Sequence, residues 1–153
     1  MITLNILDVK KTMNELLKGN LFNEFETRSC EIHTITKFNI DGILNKSFIS
    51  IDEQEPYNRS YVLWEEIKPH IFNIIKGERP PTYFKVIFSA GETIISKFPE
   101  DISALFINLI YNQGNFSCTS GIAVKAFTLD KSSEYQWDKY VLSFFKKAGI
   151  LVE

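Results

Sequence analysis

Two cysteines, Cys30 and Cys118, are too few and too far apart for a disulfide framework or a thiolate metal site. Histidine is as scarce, and neither His33 nor His70 has a Cys, Asp or Glu at a recognised metal-ligand spacing. No metal and no cofactor is therefore expected. Five prolines and seven glycines in 153 residues leave little sequence for long linkers. No apolar run approaches the roughly 20 residues of a membrane helix. The start, MITLNILDVKK, lacks the basic segment and long apolar core of a signal peptide. A net charge of -2 gives no push toward nucleic acid or an anionic bilayer. No Walker or dinucleotide glycine pattern appears. These absences predict a cytoplasmic protein that does not enter a membrane.

What is present is core material. Apolar residues make up 44% of the chain, and thirteen are Phe. That is enough for one core, so residues 1–153 are expected to form a single domain.

Ile2, Leu4 and Ile6 alternate like a half-buried strand. Asp8 is placed to cap a helix carrying Val9, Met13, Leu16 and Leu17, with Gly19 to end it. From Arg28 to Phe48 the pattern is β, and Asp41-Gly42 predicts the hairpin turn. Ser50 to Ser60 reads as a loop, with Asp52–Ser60 as a mobile lid or partner contact. Trp64, Ile67, Ile71, Ile74 and Ile75 form one helical stripe, and Gly77 followed by Pro80-Pro81 stops it. Pro69 kinks that helix or starts its main segment. Thr82 to Ser89 reads as a strand, GETIISKF as a short helix, and Leu105 to Tyr111 as a strand. NQGN supplies a tight turn. Gly121 is expected to interrupt the returning strand, with Ile122 to Thr128 forming a further one. A final helix, capped by Asp130 or Ser132, carries Trp137, Tyr140, Val141, Phe144 and Phe145.

Strand, helix, hairpin, helix thus occurs twice. FNIDGIL and YNQGNF each place a glycine turn after a strand, and LWEEI and QWDKY each place Trp-acid early in a helix. The expected fold is α+β: an antiparallel sheet with helices packed on one face, built from pseudo-duplicated half-units at 1–77 and 82–153.

Candidate chemistry is sparse. Lys76 and Arg79 flank the proline joint and could bind an anion, although both could equally serve the free carbonyls of the helix end. His33 and His70 read as ordinary histidines. Cys118-Thr119-Ser120 has no base at a motif spacing. Glu65-Glu66 and Glu134/Asp138 sit where helix dipoles favour acids. Lys10, Lys11 and Lys18 on the first helix and Lys139, Lys146 and Lys147 on the last could form a basic face.

Three blocks, LWEEIKPHIFNIIKGERPPTYFKVIF, FNIDGILNKSF and CTSGIAVKAFTLDKSSEYQWDKYVLSFF, resemble an uncharacterised bacterial family classed as a domain of unknown function. The resemblance extends over nearly the whole chain. It implies a single-domain protein and carries no activity and no catalytic residues.

The expected function is a non-catalytic binding or protein-interaction module, with self-association through a sheet edge or an aromatic helix face as one form. The alternatives are a small-molecule enzyme with an anion pocket near Lys76 and Arg79, and a nucleic-acid binder using the lysine faces. Nucleic acid is the less favoured partner, and the sequence does not decide whether the protein is an enzyme.

Overall fold

The computed structural model describes residues 1–153. Along the chain lie β1 (Thr3–Ile6), α1 (Val9–Leu17), β2 (Glu26–His33), β3 (Lys37–Asp41), β4 (Val62–Leu63) and α2 (Trp64–Ile75). After them come β5 (Tyr83–Ser89), α3 (Glu92–Ile95), β6 (Ile102–Asn112), β7 (Asn115–Val124) and α4 (Ser132–Lys147). The seven strands form one antiparallel sheet in the order β1-β7-β6-β5-β2-β3, with β4 also paired to β2.

Alternation along each strand sorts the side chains between the two faces of the sheet. Phe84, Val86 and Phe88 of β5, Leu105, Ile107 and Leu109 of β6, and Cys30 and Ile32 of β2 are buried together. Leu16 of α1, Trp64 and Ile71 of α2, and Trp137, Val141 and Phe145 of α4 belong to the same core. The helices therefore cover one face, as the amphipathic patterns require. Burying each such side chain contributes about 1.5–3 kcal/mol. At the centre Phe22 stacks on Phe88 at 5.6 Å between ring centroids and tilts against Phe144 at 5.6 Å. Both tryptophans are core residues whose indole N–H finds a backbone partner: Trp64 donates to the Leu16 carbonyl at 2.7 Å, and Trp137 to that of Phe106 at 2.9 Å. The opposite face carries Tyr83, Lys85 and Ile87, Phe106, Asn108 and Ile110, and Ser29, Glu31 and His33, all half-buried.

Strand, helix, hairpin and helix do occur twice in this order. The pairing is not repeated. β5 lies between β6 of its own unit and β2 of the other, whereas β1 pairs with β7.

Three local expectations are corrected. The β2–β3 turn falls at residues 34–36, not at Asp41-Gly42. Gly42 instead lies where the chain leaves β3 against β2, and a Cβ there would sit 1.6 Å from the Thr27 carbonyl oxygen. Its glycine permits close backbone approach, not a turn. The residues after it do not return as a strand; Lys46–Phe48 forms a 3₁₀ turn. Gly121 does not interrupt β7 either. It sits opposite Phe106 in the β6–β7 ladder, and a Cβ there would meet that side chain at an ordinary contact distance of 3.5 Å. By contrast, NQGN is a two-residue hairpin turn with φ of 48° at Gln113 and 91° at Gly114.

Asp8 precedes α1, but its carboxylate accepts from the backbone N–H of Leu151 at 3.0 Å, not from its own helix. That contact helps seat the terminal residues against β1, where Glu153 and Asn5 exchange backbone hydrogen bonds of 2.8 and 3.0 Å. One sheet edge is thereby covered. The other, β3, is five residues long and ends in exposed Lys37 and Asp41.

Candidate functional groove

The joint between the two units stands beside a groove. α2 ends at Ile75, and Gly77 adopts φ of 141°, a conformation open to glycine and strained for other residues. Pro80 and Pro81 then turn the chain into β5, and Thr82 is fixed by a 3.0 Å bond from its N–H to the His33 carbonyl. Across from the prolines runs α1. Thr12 and Leu16 point fully into the core, which leaves Val9, Met13 and Leu17, one per turn, half-buried beside them. These three form one wall of a groove of about 320 Å³, with Pro80, Pro81 and Tyr111 forming the other. Lys10, Asn14 and Lys18 stand along the rim. The Lys18 ammonium lies 5.8 Å from the centre of the Phe72 ring.

The two sequence-predicted site residues are next to this groove but do not line it. Lys76 caps α2 through its backbone N–H, which bonds the Phe72 carbonyl at 2.8 Å. Arg79 immediately precedes Pro80. Lys10, Lys18, Lys76 and Arg79 are all exposed, and none takes part in an ion pair.

The remaining candidates are scattered. Cys30 and Cys118 are buried on the helix-covered face, where desolvation pushes both thiols up to about 12. Such thiols are poor nucleophiles at neutral pH. His33 Nε2 lies 2.6 Å from Glu31 Oε2, and its ring stacks on Tyr83 at 4.7 Å. Burial, with a smaller contribution from Glu31, raises the Tyr83 hydroxyl pKa above its ordinary value. His70 is exposed on α2, away from that pair. Glu66 accepts from the Leu63 N–H at 2.7 Å and pairs with Arg59, so it holds the start of α2. Asp138 accepts from the Ser120 hydroxyl at 2.5 Å, tying α4 to β7. Lys11 donates to the Gly149 carbonyl at 3.0 Å, at the C-terminal end of α4.

The Asp52–Ser60 segment overlaps one 3₁₀ turn, Ile51–Glu53, and contains another, Glu55–Tyr57. Arg59 ties it down, donating to the Pro56 carbonyl at 2.8 Å and the Tyr61 carbonyl at 3.1 Å.

One cation escaped sequence reasoning. Arg28 sits at the irregularity in the β2–β5 register, on the open face. Its guanidinium lies 4.1 Å from the Tyr61 ring centre and 5.2 Å from that of Phe106, and it donates to Ser89 Oγ at 3.0 Å and Tyr61 Oη at 3.2 Å. The only signal in the sequence is an arginine inside a strand pattern, which does not reveal a bulge.

The open face also has a shallow polar hollow of about 380 Å³ bordered by Ser29, Glu31, Asn39, Asp41 and Lys85. Its acids and single lysine form no catalytic constellation, since no nucleophile there has a base within reach. The α1 groove differs in combining apolar walls with unpaired cations.

A family model described as a family of unknown function (DUF5721) matches residues 15–153. No curated protein and no solved structure matches the chain.

Proposed function

The chain belongs to DUF5721, a family of unknown function, and we propose that it is a non-catalytic protein-interaction module that binds through the groove between α1 and the proline joint. The observation that carries this reading is the coincidence of two surfaces in one place. Val9, Met13 and Leu17 present a half-covered apolar stripe, and Lys10 and Lys18 border it without ion-pair partners. Apolar area supplies affinity, and unpaired rim cations select the partner and speed its arrival. Lys76 and Arg79 stand exposed in the joint that leads to Pro80, with Glu78 between them.

No helix is long and apolar enough to cross a membrane. The reading places the protein in the bacterial cytoplasm, where its two thiols stay reduced. It also takes the repeated element order as the product of duplication, with the joint as the seam. Self-association through the groove would be one form of the same activity.

Peptide selection from a random library, followed by methyl NMR mapping on the protein, tests the proposal. Selected peptides should shift the Met13 methyl signal. Replacing Arg79 by Ala should weaken them about tenfold, or ~1.4 kcal/mol, with the melting temperature unchanged. A footprint confined to the open sheet face would contradict the proposal. So would a large loss of stability in Arg79→Ala, which would mark Arg79 as part of the joint alone.

A further inference from the structure

We infer that the partner segment is an amphipathic helix with acidic residues along one border of its apolar face. This rests on the interaction reading above and specifies the chemistry of the partner.

The first argument is backbone accounting. An extended peptide must pair its own N–H and C=O groups when it is buried, because an unpaired one costs free energy. The groove has few partners to give. One wall is a helix whose backbone is paired within itself. The other includes Pro80 and Pro81, which can accept through their carbonyls but have no N–H to donate. A strand laid here would therefore leave its own carbonyls without backbone donors. A helix satisfies its own backbone and needs only apolar contact, which the groove provides.

The second argument is length. Val9, Met13 and Leu17 are spaced four residues apart, so the stripe extends about 12 Å along α1 at ~1.5 Å per residue. Two to three turns of a second helix match it with residues at i, i+3 or i+4, and i+7.

The third is charge. Lys10 and Lys18 follow the stripe on one side and are eight residues, or about 12 Å, apart on the same helix face. Acids seven or eight residues apart on the partner would meet both. Lys76 and Arg79 lie beyond the prolines, and the nearby acids in sequence are Asp8, Glu15 and Glu78, none of which lines the groove. Asp8 is held by the Leu151 N–H. Glu15 lies on α1 close against Gly19, where a Cβ would approach its carboxylate to 2.2 Å. The only charged side chains lining the groove are therefore the cations Lys10 and Lys18.

The test uses two synthetic peptides of roughly 18 residues, about five helical turns, with the same leucine stripe. One carries Glu at two border positions seven residues apart, and the other carries Lys there. Each is titrated by fluorescence anisotropy against the full chain and against Lys10→Glu/Lys18→Glu, a pair of exposed sites. Circular dichroism follows peptide helicity. The Met13 methyl signal, one of only two methionine signals, reports occupancy of the groove.

The acidic peptide should gain helix on binding, shift Met13 and bind about tenfold more tightly than the lysine peptide, a difference of ~1.4 kcal/mol. That preference should reverse on the doubly substituted protein and weaken as salt rises. If the lysine peptide binds as well and shifts Met13, the acidic-helix inference is overturned while the groove remains the binding surface. Binding without gain of helix overturns it in the same way. If neither peptide shifts Met13, while library-selected peptides do, only the helix chemistry is wrong. If no peptide of any origin shifts Met13, the interaction reading falls with it.

Discussion

Arg28, inside β2, and Arg79, in the joint before β5, are treated by the fold in opposite ways. Arg28 is half-buried between two rings and donates to two hydroxyls. Arg59 closes its own loop, and Lys68 donates to the Gly19 carbonyl at 2.7 Å and Asn23 Oδ1 at 2.6 Å. These cations are parts of the architecture. Arg79 is exposed without an ion pair, as are Lys10, Lys18 and Lys76 around the groove. Net charge does not reveal this difference. A cation whose donors are occupied by the fold contributes to stability, and one left unpaired beside apolar surface is available to a partner.

The contrast breaks most visibly if Arg28 is dispensable. Arg28→Ala removes a stacked guanidinium and two charge-assisted hydrogen bonds from a half-buried position. It should cost about 2 kcal/mol, or a fall of about 4–8 °C in melting temperature for a domain of this size. Arg28→Lys should recover little, because an ammonium cannot reproduce the planar fork. Neither change should alter peptide binding at the groove. A thermal melt unchanged in Arg28→Ala would remove the architectural half of the comparison.

A smaller effect sharpens it. Glu26 is near Arg28, yet its carboxyl pKa is raised above the ordinary 4.5 because burial outweighs the opposing fields of Arg28 and Arg59, and Glu92 adds to the rise. The folded state therefore holds the Glu26 proton more tightly than the unfolded state does. Rising pH through this raised value removes stability, and falling pH restores it. Glu26→Gln should stabilise the protein at pH 7 by a few tenths of a kcal/mol, after allowance for solvent screening of a half-exposed group. The gain should vanish well below pH 4.5, where both states are protonated. Urea titrations of the two proteins at pH 7 and pH 3 would show it; a loss of stability at pH 7 would instead mean that Glu26 is a net ion-pair partner of Arg28.

Periodicity made most of the fold legible. The stripes of α1, α2 and α4 and the alternation of β5 each belong to one element, and each element was placed correctly along the chain. Pro69 sits inside α2 without ending it, since tertiary packing of Trp64, Ile71 and Ile75 outweighs one lost hydrogen bond. The misplaced hairpin has a different origin. Asp41-Gly42 carries a local turn preference, but Gly42 answers to a backbone from β2, a contact no local pattern contains. Gly121 is paired with Phe106 inside the continuous β6–β7 ladder, so its presence ends nothing. The groove was half legible. In the sequence Val9, Met13 and Leu17 belong to one helical spacing and the prolines to a joint; that they face each other is a tertiary fact. Lys76 and Arg79 were singled out from their position beside that joint, whereas Lys10 and Lys18 looked like any solvated helix face. Arg28 was invisible because its role depends on a bulge and on Tyr61 arriving from just before β4.

The most direct test replaces the four unpaired cations on and beside the groove together. The variant Lys10→Ala, Lys18→Ala, Lys76→Ala, Arg79→Ala should melt within the range of about 0.5 kcal/mol expected of surface changes and lose binding of the acidic helical peptide. Paired measurement of melting temperature and peptide affinity on this one protein decides the matter. Binding that persists at full strength, or a melting temperature lowered as far as in Arg28→Ala, would contradict the division of the cations into those that hold the fold and those left for a partner.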